Sequence, residues 1–266
     1  MTEHQNKPVD KREEHEFEVI EVDAARQGVR HKGVYLLPNL ITTGAMFAGF
    51  YAIVAAMNGH YEPAAIAIIV AGILDGLDGS VARMTNTQST CGAEYDSLSD
   101  CVAFGVAPGL VAYSWALTDL GKLGWAAAFI YVACAALRLA RFNVQVETSD
   151  KRYFTGLPSP SGVGLVATMV WLGATKGIDG HDVAYVVAFV TAAAGLLMVS
   201  SVRYQSFKEY HIGRVPVRAL LGVIIAFAII VLDPPLVLLA VGVIYAGSGV
   251  VLDLVRRYRS RSASNA

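Results

Sequence analysis

The chain has 266 residues, 55% of them hydrophobic and only 16% charged, with a formal net charge of −1. A soluble domain carries about 25% charged residues, so this composition, with a mean hydropathy of +0.48, excludes an ordinary soluble protein. Three cysteines (Cys91, Cys101, Cys134) and six scattered histidines form neither a disulfide framework nor a zinc spacing, so thiol, zinc and iron–sulfur chemistry are not expected.

In chain order, residues 1–33 come first as a polar tail with no apolar core of signal-peptide type and no transit-peptide character. They read as a solvated, mostly disordered cytoplasmic segment whose basic end, Arg26 to Lys32, suits a headgroup surface. Eight apolar segments follow, at 37–58, 63–84, 93–115, 120–142, 159–176, 183–201, 215–232 and 235–256. A helix needs about 20 apolar residues to cross a hydrocarbon core about 30 Å thick. The expected fold is therefore all-α, a polytopic membrane bundle of about eight transmembrane helices, with 34–257 embedded and 258–266 a cytoplasmic tail. The segment at 159–176 is short and holds Gly162, Gly164 and Gly173. "NGHYEP" ends the first helix and puts Pro63 in the first turn of the second, where a missing N–H costs least. "LDPPL" forces the last turn.

Basic residues set the orientation. The loops on one side hold only Lys122 and Lys176, whereas Arg83, Arg138, Arg141, Lys151, Arg152, Arg203, Lys208, Arg214 and the C-terminal arginines gather on the other. The positive-inside rule makes that side, and both termini, cytoplasmic. The bases are dispersed around membrane ends, so no nucleic-acid partner is expected.

The second and third segments carry Asp75, Asp78, Asp96 and Asp100. Asp75, Asp78, Gly79 and Ala82 fall at i, i+3, i+4 and i+7 on one helical stripe, which Arg83 extends. Gly92, Asp96 and Asp100 recur every four residues on the next helix, so a hairpin sets two carboxylates opposite two. An unpaired carboxylate at depth costs about 2.5–3.5 kcal/mol, and one arginine does not neutralise four. Hard oxygen ligands suit Mg²⁺ or Mn²⁺, with Ca²⁺ also admissible, and two such ions would cancel the charge. The glycines and Ala82 leave ligand-sized space beside them. A cation-transport site also places acids at depth, but this cluster lies toward one face and shows no broken helix.

The spacing Asp75-x₂-Asp78-Gly79-x₂-Ala82-Arg83-x₈-Gly92-x₃-Asp96-x₃-Asp100 resembles, without a departure, the signature of the CDP-alcohol phosphotransferase family. Eight residue types at fixed spacing match by chance on the order of once in 10⁹ start positions. The resemblance implies transfer of a substituted phosphoryl group from a CDP-linked lipid to an alcohol, with release of CMP. It implies that Asp75, Asp78, Asp96 and Asp100 bind two divalent ions and that Asp100 is the general base. Gly79, Ala82 and Gly92 would pack around the cytidine nucleotide, and Arg83 would lie near its phosphates or brace the aspartates. A homodimer is implied as well.

The signature does not choose the alcohol. Three further stretches, "LLPNLITTGAMFAGF" (36–50), "ALRLARFNV" (136–144) and "YFTGLPSPSG" (153–162), are similar to bacterial membrane-integral phosphatidylserine synthases. That narrower resemblance implies CDP-diacylglycerol and L-serine as substrates, in a bacterial cytoplasmic (inner) membrane with its lipids around the protein. Glycerol 3-phosphate is the alternative acceptor. Arg138 and Arg141, three apart, either hold the serine carboxylate or the lipid phosphates, or are interfacial anchors. Asn39 and Thr42, placed by this reading at the start of the first helix, either cap it or hold a nucleotide phosphate or ribose at its N-terminus. Thr155, Ser159 and Ser161 shape the connection into the fifth helix, and Tyr153 and Phe154 read as interfacial aromatics.

Overall fold

The computed structural model describes residues 32–85, 89–145, 153–205 and 217–264. Residues 1–31 of the expected tail 1–33 and the basic residues Lys151, Arg152, Lys208 and Arg214 lie outside the described residues. Among the described residues eight helical rods stand where the apolar segments predict them: α1 (Lys32–Met57), α2 (Tyr61–Thr85), α3 (Thr90–Leu120), α4 (Lys122–Gln145), α5 (Ser159–Thr175), α6 (Gly180–Val199), α7 (Val217–Leu232) and α8 (Pro234–Ser264). Six of them, all but α5 and α7, are long and apolar enough to cross a membrane. At 17 and 16 residues, α5 and α7 fall short of that length. Phe47, Phe50, Val186, Phe189 and Ile244 are exposed, which in water would be costly and in lipid is not. The chain is an integral membrane protein.

Three expectations about these rods are corrected. Helix α1 does not begin after Pro38 but runs through it from Lys32. Pro38 sits inside this helix with one backbone hydrogen bond forgone in the turn before it, while its fixed φ is compatible with the helical value. Asn39 and Thr42 therefore lie inside the helix and cannot use free terminal N–H groups. Helix α3 starts at Thr90 rather than 93, because Ser89 caps it by accepting the Gly92 N–H at 3.0 Å. It is also not regular. It is α-helical to Asp100, widens into a π turn over Cys101–Val106, returns to α over Ala107–Ala112, and widens again over Tyr113–Leu117 before a closing 3₁₀ turn, Thr118–Leu120. Pro108 has no N–H for the Phe104 carbonyl, which accepts the buried Tyr131 hydroxyl instead at 3.1 Å. The second widening frees the Ser114 carbonyl for the Tyr61 hydroxyl, also at 3.1 Å.

The last helix runs on to Ser264, through the stretch read as a tail. A two-stranded antiparallel ribbon, β1 (Tyr153–Thr155) with β2 (Arg203–Gln205), ties the α4–α5 connection to the segment after α6, with Phe154 opposite Tyr204. The Tyr204 hydroxyl donates to the Ala246 carbonyl of α8 at 3.2 Å, and Gly249 leaves room for its ring. Burial, with Tyr245 adding to it, pushes that hydroxyl up to about 12, so it stays a donor at neutral pH.

Helix α1 packs chiefly on α2, α4 on α6, and α5 lies between α2 and α8. The core is built of small residues, including fully enclosed Ala52, Ala64, Ala65, Ala71, Ala103 and Ala107. Small side chains let helix backbones approach where water supplies no driving force between helices. A methyl group on Gly49 would sit 2.7 Å from the Ala103 Cα, and one on Gly195 2.7 Å from the Tyr131 Cα. Gly49 thereby holds α1 against the π turn that follows Asp100. Gly49→Ala is expected to cost about 1–3 kcal/mol, read as a lower melting temperature of the purified protein. Gly247→Ala, at an exposed position with open space around it, is expected to be neutral or stabilising by up to about 1 kcal/mol.

Candidate active site

Helices α2 and α3 form the acidic hairpin that the periodicity predicts. One ligand oxygen from each of Asp75, Asp78 and Asp96 lies within 4.8 Å of the others. Asp100 lies beside Asp75, within side-chain hydrogen-bonding reach of it. Two bare carboxylates keep such a contact only with a proton or a cation between them. Like charges at this separation repel by roughly 3 kcal/mol per pair at an effective dielectric of about 20. One buried oxygen, Asp96 Oδ1, has no hydrogen-bond partner among the described residues. Both observations fit a divalent cation, since a cation would satisfy the orphaned oxygen and remove the repulsion, and an all-oxygen donor set suits a hard ion.

Asp78 is the most enclosed of the four, at 3% exposure. Its Oδ2 accepts the Thr42 hydroxyl from α1 at 2.7 Å. The Thr42 backbone carbonyl in turn accepts the Ser99 hydroxyl from α3 at 3.1 Å. Thus Thr42 touches both acidic helices, although it is not at a helix end.

Beside the acids opens a cavity of about 290 Å³. The six residues singled out for the nucleotide, Asn39, Thr42, Gly79, Ala82, Arg83 and Gly92, all line it, together with Asp78 and Asp96. Gly92 is tightly placed, since a methyl there would lie 3.0 Å from Ser89 Oγ and 3.4 Å from Asn39 Oδ1. Arg83 is exposed and donates to Ser80 Oγ at 3.3 Å. Among the described residues no ion pair joins Arg83 to the aspartates, so the alternative in which it braces them has no contact to support it. A larger hollow, about 570 Å³, opens at the far end of the bundle between the 59–63 and 177–180 turns and holds none of the acids.

The two arginines of α4 separate. Arg138 is half-buried, donates to Ser159 Oγ at the start of α5, keeps an unpartnered buried Nε, and has Asp100 and Tyr245 as electrostatic neighbours. Arg141 is exposed. The structure therefore brings Arg138 to the acidic site and leaves Arg141 at the surface. Ser159 is buried as the partner of Arg138, so the connection into α5 both shapes the chain and holds a cation. Sequence reasoning missed Ser99, Ser89 and the π turn after Asp100. The only signals were a serine beside the acidic stripe, a serine three residues before Gly92, and Pro108 inside an apolar run.

The sequence model of the CDP-alcohol phosphatidyltransferase family matches residues 35–199. The chain is similar to the CDP-diacylglycerol–serine O-phosphatidyltransferase of Helicobacter pylori strain ATCC 700392 / 26695, 41% identical over 177 residues, covering 66% of this chain and 74% of that one. It is similar to the CDP-diacylglycerol–serine O-phosphatidyltransferase of Mycobacterium tuberculosis strain ATCC 25618 / H37Rv, 36% identical over 233 residues, covering 82% and 78%. It is also similar to the archaetidylserine synthase of Methanothermobacter thermautotrophicus, 34% identical over 170 residues, covering 63% and 69%.

If repulsion among the acids is relieved by a cation, Asp96→Asn is expected to raise the melting temperature in EDTA by about 2–4 °C for each kcal/mol relieved. The same substitution should abolish most of the upward shift that Mn²⁺ gives the wild type. A differential scanning measurement with and without Mn²⁺ checks both signs.

Proposed function

This chain belongs to the CDP-alcohol phosphatidyltransferase family, and from that premise we propose that it transfers the phosphatidyl group of CDP-diacylglycerol to the hydroxyl of L-serine, giving phosphatidylserine and CMP. The observation that carries this reading is the meeting of Asp75, Asp78 and Asp96, one with an orphaned buried oxygen and with Asp100 beside Asp75, next to a cavity lined by the six nucleotide candidates. Serine as the acceptor is supported by the names of relatives whose lipids differ, a phosphatidyltransferase acting on serine and an archaetidylserine synthase.

In this mechanism Asp75, Asp78, Asp96 and Asp100 would hold two divalent cations, Mg²⁺ or Mn²⁺ with Ca²⁺ also admissible. Those cations would supply charge neutralisation for the pyrophosphate and the departing CMP. Asn39, Thr42, Gly79, Ala82, Arg83 and Gly92 shape the nucleotide cavity, where the missing side chains of the glycines let the ligand approach the backbone. Asp100, the last of the stripe before the π turn, takes the serine hydroxyl proton. The serine oxygen then bonds to the lipid-side phosphorus, the phosphorus–oxygen bond to CMP breaks, and the proton passes from Asp100 to water. Arg138 offers its guanidinium to an anionic group, either the serine carboxylate or a phosphate of the CDP-lipid. Arg141 and the other arginines at this end serve as positive-inside anchors. The proposal includes a catalytic domain over 34–257, a bacterial inner membrane with its lipids as the surroundings, both termini and the site on the cytoplasmic side, and a homodimer.

The test is CMP release by the purified protein with CDP-diacylglycerol, Mn²⁺ or Mg²⁺, and a panel of serine, glycerol 3-phosphate, inositol phosphate and choline. Serine is expected to stimulate release, Asp100→Asn to lower it roughly 10²–10⁴-fold, and Asp75→Asn to abolish it. Release with glycerol 3-phosphate and not serine transfers the assignment to that acceptor. Metal-dependent flux across sealed vesicles without CMP release would mark a cation transporter instead.

A further inference from the structure

The Thr42 and Ser99 hydroxyls do not follow the habit of their neighbours. In membrane helices a serine or threonine hydroxyl commonly spends its proton on the carbonyl four residues back. Thr43 does so to Asn39 at 2.7 Å, and Ser97 to Ala93 at 3.0 Å. Thr42 has the same option, the Pro38 carbonyl at 3.1 Å, but its shorter contact, 2.7 Å, is to the Asp78 carboxylate. A hydroxyl has one proton, and a charged acceptor at the shorter distance takes it. Ser99 likewise donates across to α1, to the Thr42 carbonyl 57 positions away. All three residues are buried, Thr42 at 4%, Ser99 at 1% and Asp78 at 3% exposure.

We propose that Ser99 and Thr42 are positioning residues that fix the Asp78 carboxylate for cation binding and lock the two acidic helices to each other across α1. The inference rests on the reading of the acidic cluster as a divalent-cation site. An ionised carboxylate only accepts, so a donor pinned at Oδ2 fixes its rotamer. Outer residues that orient a metal ligand act in this way. Thr42 reaches α2 through its side chain and α3 through its backbone, so one α1 residue sets the rotation of both. Ser99 is adjacent to Asp100 and three residues from Asp96, and it sits in the last regular turn before the π turn. Holding Ser99 therefore holds the angle at which α3 presents both of its acids. None of this requires either hydroxyl to touch the transferred group.

The experiment is Mn²⁺ titration of the purified full chain in detergent, reading free Mn²⁺ by electron paramagnetic resonance. Thr42→Val, which keeps the volume and removes the hydroxyl, is expected to weaken Mn²⁺ binding about 10–100-fold, and Thr42→Ser to stay within about threefold of wild type. Ser99→Ala should weaken binding in the same direction, and adding it to Thr42→Val should cost less than the product of the two separate losses. A folded Thr42→Val protein with wild-type affinity overturns the proposal, as does Thr42→Ser binding as weakly as Thr42→Val. If Thr42→Val does not fold, Ser99→Ala decides, and wild-type affinity there overturns it. A wild-type protein with no Mn²⁺ binding also overturns it. A CMP-release assay on the same samples separates the two readings. The variant pattern without CMP release from any alcohol refutes the proposed function and leaves the positioning role standing.

Discussion

Four carboxylates brought together inside a membrane bundle constrain everything else in this structure. Left alone they would repel one another and each would bear the cost of leaving water, several kcal/mol apiece on common scales. A protein keeps such a group only if something repays the cost. Among the described residues the donors are few: the Thr42 hydroxyl and the Gly79 backbone N–H for Asp78, and Arg138 in the electrostatic neighbourhood of Asp100. Asp96 Oδ1 has none. In the proposed reading a divalent cation would make good that shortfall, since an all-oxygen donor set suits a hard ion.

The surrounding fold serves that arrangement. Small residues bring α1 close enough to α2 and α3 for Thr42 to reach both, and Gly49 meets Ala103 where a larger side chain could not. The π turn from Cys101 to Val106 begins at the residue after Asp100. Pro108 frees the Phe104 carbonyl, and Tyr131 of α4 fills it, which fastens α3 to α4 just beyond the site. The same helix α4 carries Arg138 to the buried Ser159. The acids, the cavity and the one inward arginine are thus held by contacts between helices rather than by loops, which suits a site that must keep its geometry beside lipid.

Much of this was legible in the sequence because helical periodicity converts spacing into direction. Asp75 and Asp78 at i and i+3 meet Asp96 from the next helix, Asp100 at i+4 lies beside Asp75, and all six nucleotide candidates share one cavity. The positions of the helices followed from apolar runs and from Pro63 and Pro234. What was not legible depends on partners distant along the chain. Nothing in "DSLSD" tells that Ser99 reaches Thr42 rather than its own helix. Nothing in "ALRLARFNV" tells that Arg138 turns inward and Arg141 outward, since that depends on where α5 places Ser159. The start of α1 was misread because a proline disrupts the turn before it, and Pro38 looked like a boundary. The π turns were missed because the hydroxyls that satisfy the freed carbonyls come from α4 and α2.

The central claim is that a serine hydroxyl attacks the lipid-side phosphorus while CMP departs. It is tested most directly by supplying serine labelled with ¹⁸O in its hydroxyl, together with CDP-diacylglycerol and Mn²⁺, and weighing both products by mass spectrometry. The account predicts the label wholly in the phosphodiester of phosphatidylserine and none in CMP. Label in CMP, or formation of CMP without labelled lipid, would contradict it.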